Sequence, residues 1–237
     1  MMRRRELKQT ILSMLKNEPW PVIAARLPQY EGKEIINHLF TALCHSQKTK
    51  WHAVSAFGKV VPRLAAQDPE SARIVMRRFL WNLNDESGGI GWGIPEAMAE
   101  VMVQDNMLFS EYSHMLISYM RQDGPEIFQD GNFIELPALQ QGVLWGVARL
   151  LKVRQQKMVV KGIDADLRYY LDALDNTVCG LAAMCLGMCR NIEVIDELQS
   201  LLANSGSFIL YWDYTLQEVK VSAIAKQAIE RLHLQAA

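Results

Sequence analysis

Apolar residues recur along this chain with a helical period. From Ser71 to Leu83 the apolar positions Ile74, Val75, Phe79 and Leu80 fall on one helical face and leave Arg73, Arg77 and Arg78 off it. The preceding Asp68-Pro69-Glu70 supplies an N-cap acid and a proline at the first helical position. Pro62, Pro69, Pro95, Pro125 and Pro137 lie near the ends of apolar periodic runs, so each is placed at a helix boundary, where proline is tolerated. No stretch alternates with period two for long enough to demand a sheet. Phe208 to Trp212 reads as a turn of helix or an extended tail segment.

One hexad returns along the chain. Ala53 to Gly58, Val143 to Ala148 and Ala182 to Gly187 share small residues at the fourth and sixth places and an apolar residue at the fifth. Ala225 to Glu230 is a terminal variant and Ala97 to Met102 a loose one, and the five are separated by 44, 46, 39 and 43 residues. That interval fits one helical hairpin per repeat. Small residues at fixed places let helices approach to about 8–10 Å, which bulky side chains prevent.

On these residues the chain resembles the HEAT-like (armadillo-type) helical repeat family. The match is best from Asn176 to Gly187 and from Ile192 to Leu202, where it is similar to the lyase-type HEAT-like repeats: a valine, an alanine pair, a Leu-Gly, then a second helix closing on leucines. The resemblance extends in degraded form over 35–232. It implies an all-α fold, an α-α superhelix of about five helical hairpins, in one helical-repeat domain over 1–237. Within it, 1–34 would form a basic N-terminal cap, 35–232 the hairpins and 84–94 a Gly-rich loop. Such stacks present an extended groove, so the implied role is a scaffold binding a protein or peptide partner on its concave face.

The segment Trp81 to Glu96 does not read as scaffold, because four of the chain's 14 glycines, Gly88, Gly89, Gly91 and Gly93, fall within six residues. Such a cluster marks either a loose linker or a backbone required to adopt positive φ close to something else. The tryptophans, asparagines and acids around it favour a contact site. Asp85 and Glu86 offer carboxylates, Asn82 and Asn84 hydrogen bonds, and Trp81 and Trp92 flat faces for a planar or cationic group. The competing reading is local: Trp81 ends an apolar helix face, Asn82 and Asn84 cap the turn, and Asp85 caps the next helix. Glu96 and Glu100 follow one turn apart, and Glu100 takes the fourth place of its hexad, where the other repeats carry Ala56, Gly146, Cys185 and Ala228. If that register holds, its carboxylate enters a helix contact or a cleft; a slip of one residue would return it to water.

Trp81 and Asp85 also resemble the tryptophan and aspartate of the DNA alkylation repeat family, HEAT-like glycosylases that excise alkylated bases. The resemblance covers five residues and implies base excision, with Asp85 as the catalytic carboxylate and the indoles against a cationic lesion. The glycine run beside it departs from that family.

Charge bears on both readings. The net charge is −1, yet residues 1–63 carry 11 Lys and Arg against 4 Asp and Glu, and 64–135 carry 4 against 12. An acidic middle third disfavours nucleic acid, whose binding depends on neutralising phosphates. Arg3, Arg4 and Arg5 make the N-terminus a separate docking candidate. With 50% hydrophobic and 22% charged residues the chain is that of a folded protein, and no run reaches the roughly 20 apolar residues of a membrane span. The opening residues lack the apolar core of a secretory signal, so the expected location is cytoplasmic. Cys179, Cys185 and Cys189 read as buried thiols in a helical hairpin. His38, His45, His52, His114 and His233 have no ligand spacing and are expected at the surface or in turns, and no metal or cofactor is implied. Trp145, Tyr211, Trp212 and Tyr214 either line a groove or pack between hairpins. The methionines, Met98 and Met102 among them, read as core filler.

Overall fold

The computed structural model describes residues 4–85, 90–124 and 131–236. Its packing divides into two compact units, Met1–Ser113 and His114–Ala237. Twelve α-helices and one β-hairpin are present among the described residues, and none of these helices is long and apolar enough to cross a membrane.

The first unit contains α1 (Arg4–Asn17), α2 (Trp20–Arg26), α3 (Gly32–Leu43), α4 (Gln47–Gln67), α5 (Pro69–Leu83) and α6 (Ile94–Gln104), and α7 (Asn106–Ser118) begins in it. From Arg4 onward the basic N-terminal stretch is helical, and α1 buries Leu7, Ile11, Met14 and Leu15. At the centre lies α4, whose residues Trp51 to Gly58 are all buried beneath α1, α3, α5 and α6. A helix apolar on every side is stable only when surrounded in this way. Phe40, Phe57 and Phe79 join α3, α4 and α5 with ring centroids 5.0–5.1 Å apart. Each such pair is worth about 0.5–1.5 kcal/mol beyond its buried area.

The second unit holds α8 (Pro137–Val159), α9 (Asp164–Arg168), α10 (Asn176–Leu186), α11 (Ile195–Ser200), strands β1 (Ser207–Trp212) and β2 (Thr215–Lys220), and α12 (Val221–Ala236). Here α10 is the central helix, flanked by α8 and α12. The hexads sit on α4, α6, α8, α10 and α12, and their register is physical. A Cβ on Gly58, the sixth place of the first hexad, would lie 3.1 Å from the carbonyl oxygen of Glu100, the fourth place of the next. A Cβ on Gly187 would lie 2.5 Å from Cβ of Ala228, again sixth place against fourth. The Cys185 thiol, at a fourth place, donates to the Leu144 carbonyl of α8 at 3.5 Å. Within each unit, neighbouring hexad helices thus meet at hexad places, with a glycine on one side of the two tightest contacts.

Four expectations are corrected. Pro62 lies inside α4, not at its end. It deprives the Gly58 carbonyl of its helical partner, a cost of about 3 kcal/mol, and burial of Val60, Val61 and Leu64 on both sides carries the helix through. In α5 the buried face is Ala72, Val75, Met76 and Phe79, while Ile74 is 56% exposed, a rotation of the face that the apolar pattern alone did not place. Phe208 to Trp212 takes the extended alternative, but in a sheet that the pattern did not demand, paired antiparallel with β2 from Ser207↔Lys220 to Trp212↔Thr215. Its two-residue loop, Asp213 and Tyr214, has φ of 49° and 65°, the twist that a tight hairpin needs, and Phe208 packs over the bare Cα of Gly180. His38 and His52 are buried at 5% and 6% exposure, so they are neither surface nor turn residues. Burial lowers the pKa of both; Lys8 and Arg4 push His38 further down, and Lys48 does the same for His52 against the Leu15 hydrogen bond. That bond runs from Nδ1–H of His52 to the Leu15 carbonyl at 2.8 Å.

Other expectations hold. Asp68 caps α5, its carboxylate accepting from the Ser71 amide at 3.2 Å, and Pro69, Pro95 and Pro137 occupy the first turns of α5, α6 and α8. Pro125 lies outside the described residues. Cys179, Cys185 and Cys189 are buried, as are Met98 and Met102.

The start of α6 is seated by Gly93, whose φ of 71° suits glycine and whose Cβ would meet Leu43 at 3.0 Å and Lys50 at 3.2 Å. One turn on, Glu96 Oε1 receives Lys50 Nζ at 3.2 Å, with the two side chains 6% and 17% exposed.

These contacts generate three predictions. Gly187→Ala, which overlaps Ala228, should lower stability by about 1–3 kcal/mol in urea denaturation, whereas Gly32→Ala, with its nearest contact at an ordinary 3.4 Å, should be neutral or mildly stabilising. Lys50→Met strands a buried carboxylate and should cost about 3 kcal/mol; Lys50→Met combined with Glu96→Met should recover most of that loss. The lowered histidines give the third. Below pH 6.5 the unfolded chain takes up protons that folded His38 and His52 resist, so their contribution to stability is full above 6.5 and falls as pH drops through their folded values. The denaturation midpoint of a His38→Gln, His52→Asn variant should decline less between pH 7.5 and 5 than that of the wild type.

Candidate functional site

The end of α5 and the start of α6 border a groove against α3. Its walls include Asn37, Phe40 and Cys44 from α3 and the turn after it, Arg78 and Asn82 from α5, and Trp92 from the returning chain, around a volume of about 250 Å³. The chain can return so closely because Gly91 has no side chain: a Cβ there would meet Leu83 at 3.1 Å and the Asn82 carbonyl at 3.2 Å. Gly91 and Gly93 are therefore structural requirements of this wall. Gly88 and Gly89 lie outside the described residues, as does Glu86.

Of the residues singled out from sequence, Asn82 and Trp92 line the groove. Asn82 Nδ2 donates to the Arg78 carbonyl at 2.7 Å, which fixes the amide at the last turn of α5. Trp81 is 75% exposed and Trp92 42%, so Trp81 does not end a buried face. Asn84 is the C-cap of α5, in accord with the local reading, whereas α6 is capped by Gly93 and not by Asp85. Asp85 is exposed just beyond the helix end, where high dielectric weakens the field it could apply to a developing cation. Glu96 and Glu100 are withdrawn from any surface, at 4% and 5% exposure. Glu100 holds the fourth hexad place against Gly58, which settles its register. Glu96 Oε1 is taken by Lys50, and Oε2 has no partner among the described residues.

Sequence reasoning missed Asn37, Phe40 and Arg78. The Arg78 guanidinium lies over the Phe40 ring at 3.8 Å from its centroid, and Nη1 donates to Asn37 Oδ1 at 2.5 Å. Burial lowers the Arg78 pKa. The only signal in the chain was the position of Arg78 just beside Phe79 on the edge of the apolar face of α5.

In the second unit Trp145 and Tyr211 are packed, whereas Tyr214 in the hairpin loop is 42% exposed. Trp145 and Tyr211 are buried at 3% and 4% exposure, with Trp145 Nε1 donating to the Tyr211 carbonyl at 2.7 Å. Trp212 lies edge-on to Trp145, covered by Arg149 and Lys152 at 5.5 and 4.9 Å. A recess of about 380 Å³ is lined by Asp164, Cys189, Arg190 and Asn191. Two of its polar groups bond within the chain: Asn191 donates to Asp164 at 2.7 Å and Arg190 to Gln155 at 3.0 Å. Burial, with Asp164 nearby, pushes the Cys189 thiol up to about 12, which leaves it a poor nucleophile. No group of three His, Cys, Asp or Glu side chains among the described residues could hold a metal ion.

No family model matches this chain, and no curated protein does. Solved structures do. A designed armadillo repeat protein is 15% identical at a TM-score of 0.52, covering 98% of this chain and 95% of its own. A computationally designed armadillo repeat protein for modular peptide recognition is 14% identical at 0.52, covering 97% and 94%. A further designed armadillo repeat protein, in complex with the peptide (KR)4, is 16% identical at 0.50, covering 96% and 99%. Together with the hexad register, these likenesses show that the fold is an armadillo-type, HEAT-like helical repeat.

Proposed function

We propose that this chain is a helical-repeat scaffold that binds a protein or peptide partner, and that the groove between α3, the end of α5 and Trp92 is its contact site. The observation that carries the reading is the exposure of Trp92 at 42% and Ile90 at 43% in the wall of a groove that also holds a stacked arginine, with the exposed Trp81 next in the chain to the groove residue Asn82. Tryptophan and arginine supply a disproportionate share of binding energy at protein interfaces, where each can be worth about 2 kcal/mol or more. An exposed apolar cluster rimmed by amides and a cation is the surface pattern of such interfaces. Peptide binding by armadillo-type neighbours agrees with this role. The amides of Asn37 and Asn82 suit the backbone or side chains of an extended segment. Base excision through Asp85 draws no comparable support, because that residue is exposed and does not line the groove.

The test is quantitative recovery of partners from a native lysate on the immobilised wild-type chain, Trp81→Ala and Trp92→Ala, each first checked for an unchanged urea midpoint. Trp92→Ala should weaken binding of a recovered partner about 30-fold, the equivalent of 2 kcal/mol, and Trp81→Ala should weaken it less. Equal recovery on all three would remove the groove from the proposal.

A further inference from the structure

The charges on α5 are disposed unequally. Arg73 is held by Glu111 through two bonds, Nε at 2.8 Å and Nη2 at 2.6 Å, and Arg77 by Glu70 at 2.5 Å. Arg78, the next residue, faces the groove and meets no carboxylate within ion-pair distance among the described residues. Its partners are a neutral amide and a phenyl face. The two environments act in opposite directions: Glu111 raises the pKa of Arg73, while burial alone lowers that of Arg78. A guanidinium has five N–H donors, and Asn37 accounts for one of those at Arg78. With Asn37 Oδ1 engaged as acceptor, its Nδ2 is left as a further donor on the same wall.

On the binding role proposed above, we infer that the groove takes an acidic peptide, with a Glu or Asp side chain on Arg78 and an adjacent apolar side chain against Trp92 and Ile90. Charge complementarity carries the choice. A carboxylate within hydrogen-bond reach of that guanidinium gains a Coulomb attraction that a neutral group lacks, and the fork geometry of arginine matches it. The carbonyl ends of α3 and α5 oppose an anion, with about half a unit of negative charge each, and they lie toward Cys44 and Asn84. The carboxylate is therefore seated at Arg78, more than a turn back from the end of α5, and the apolar neighbour lies toward Trp92. A basic peptide would bring its charge against Arg78 and is excluded.

The experiment pans a phage-displayed random heptapeptide library on the full chain, the same chain carrying Arg78→Gln or Arg78→Lys, and Trp92→Ala, with urea midpoints measured for each. Synthetic versions of the selected sequences are then titrated by fluorescence anisotropy beside (Lys-Arg)4. The wild type should enrich peptides with Glu or Asp next to an apolar residue. Replacing that acid by its amide should weaken binding at least tenfold, Arg78→Gln should do the same, and Arg78→Lys should keep part of the affinity. (Lys-Arg)4 should not bind. Enrichment of basic or uncharged peptides, or acidic peptides indifferent to Arg78→Gln at an unchanged midpoint, would overturn the acidic occupant. If such peptides still require Trp92, the groove stands as the contact site and only its charge preference fails. No enrichment on the wild type would overturn both.

Discussion

The close approach of hexad helices is the constraint on which the structure depends. Gly58 against Glu100, and Gly187 against Ala228, leave no room for one more carbon without movement of a neighbour. Interiors packed at crystal-like density do not absorb such a change cheaply. The same contact explains why a carboxylate can occupy the fourth place on α6: the bare Cα of Gly58 accommodates the backbone and Cβ of Glu100, and residue 58 contributes no side chain of its own.

From that contact the groove follows by short steps. With α4 enclosed, α3 and α5 are held on it through Phe40, Phe57 and Phe79, and the ring of Phe40 becomes the platform for Arg78. Gly93 and the Lys50–Glu96 pair fix where α6 begins, and this brings Trp92 opposite Asn82. The scaffold therefore positions its exposed groups through buried ones. Glu96 belongs to the machinery that holds the wall, although its residue type and spacing resemble those of a surface contact.

Trp145 and the indoles beside the groove differ in burial, in keeping with their hydrogen bonding. Trp145 finds an acceptor for its indole N–H in the Tyr211 carbonyl and can be buried. Trp81 and Trp92 stay at the surface, where water can satisfy their N–H groups and their rings remain available to a partner.

The sequence by itself determined the repeat and the helical class, because small residues at fixed spacing are a direct record of helix proximity; the register of the hexad around Glu100 needed the structure. It also marked Asn82 and Trp92, since a glycine cluster beside indoles is rare in plain scaffold. Tertiary structure alone decided the rest. Pro62 continues a helix because its neighbours are enclosed, Phe208 to Trp212 pairs because Thr215 to Lys220 lies alongside, and His38 and His52 are buried by helices distant in sequence. The groove itself is built from residues some 40 positions apart, so that Arg78 meets Phe40 and Asn37 only once α3 and α5 are side by side on α4. A one-dimensional pattern records which residues share a helix face; which of those faces meet is set by packing in three dimensions.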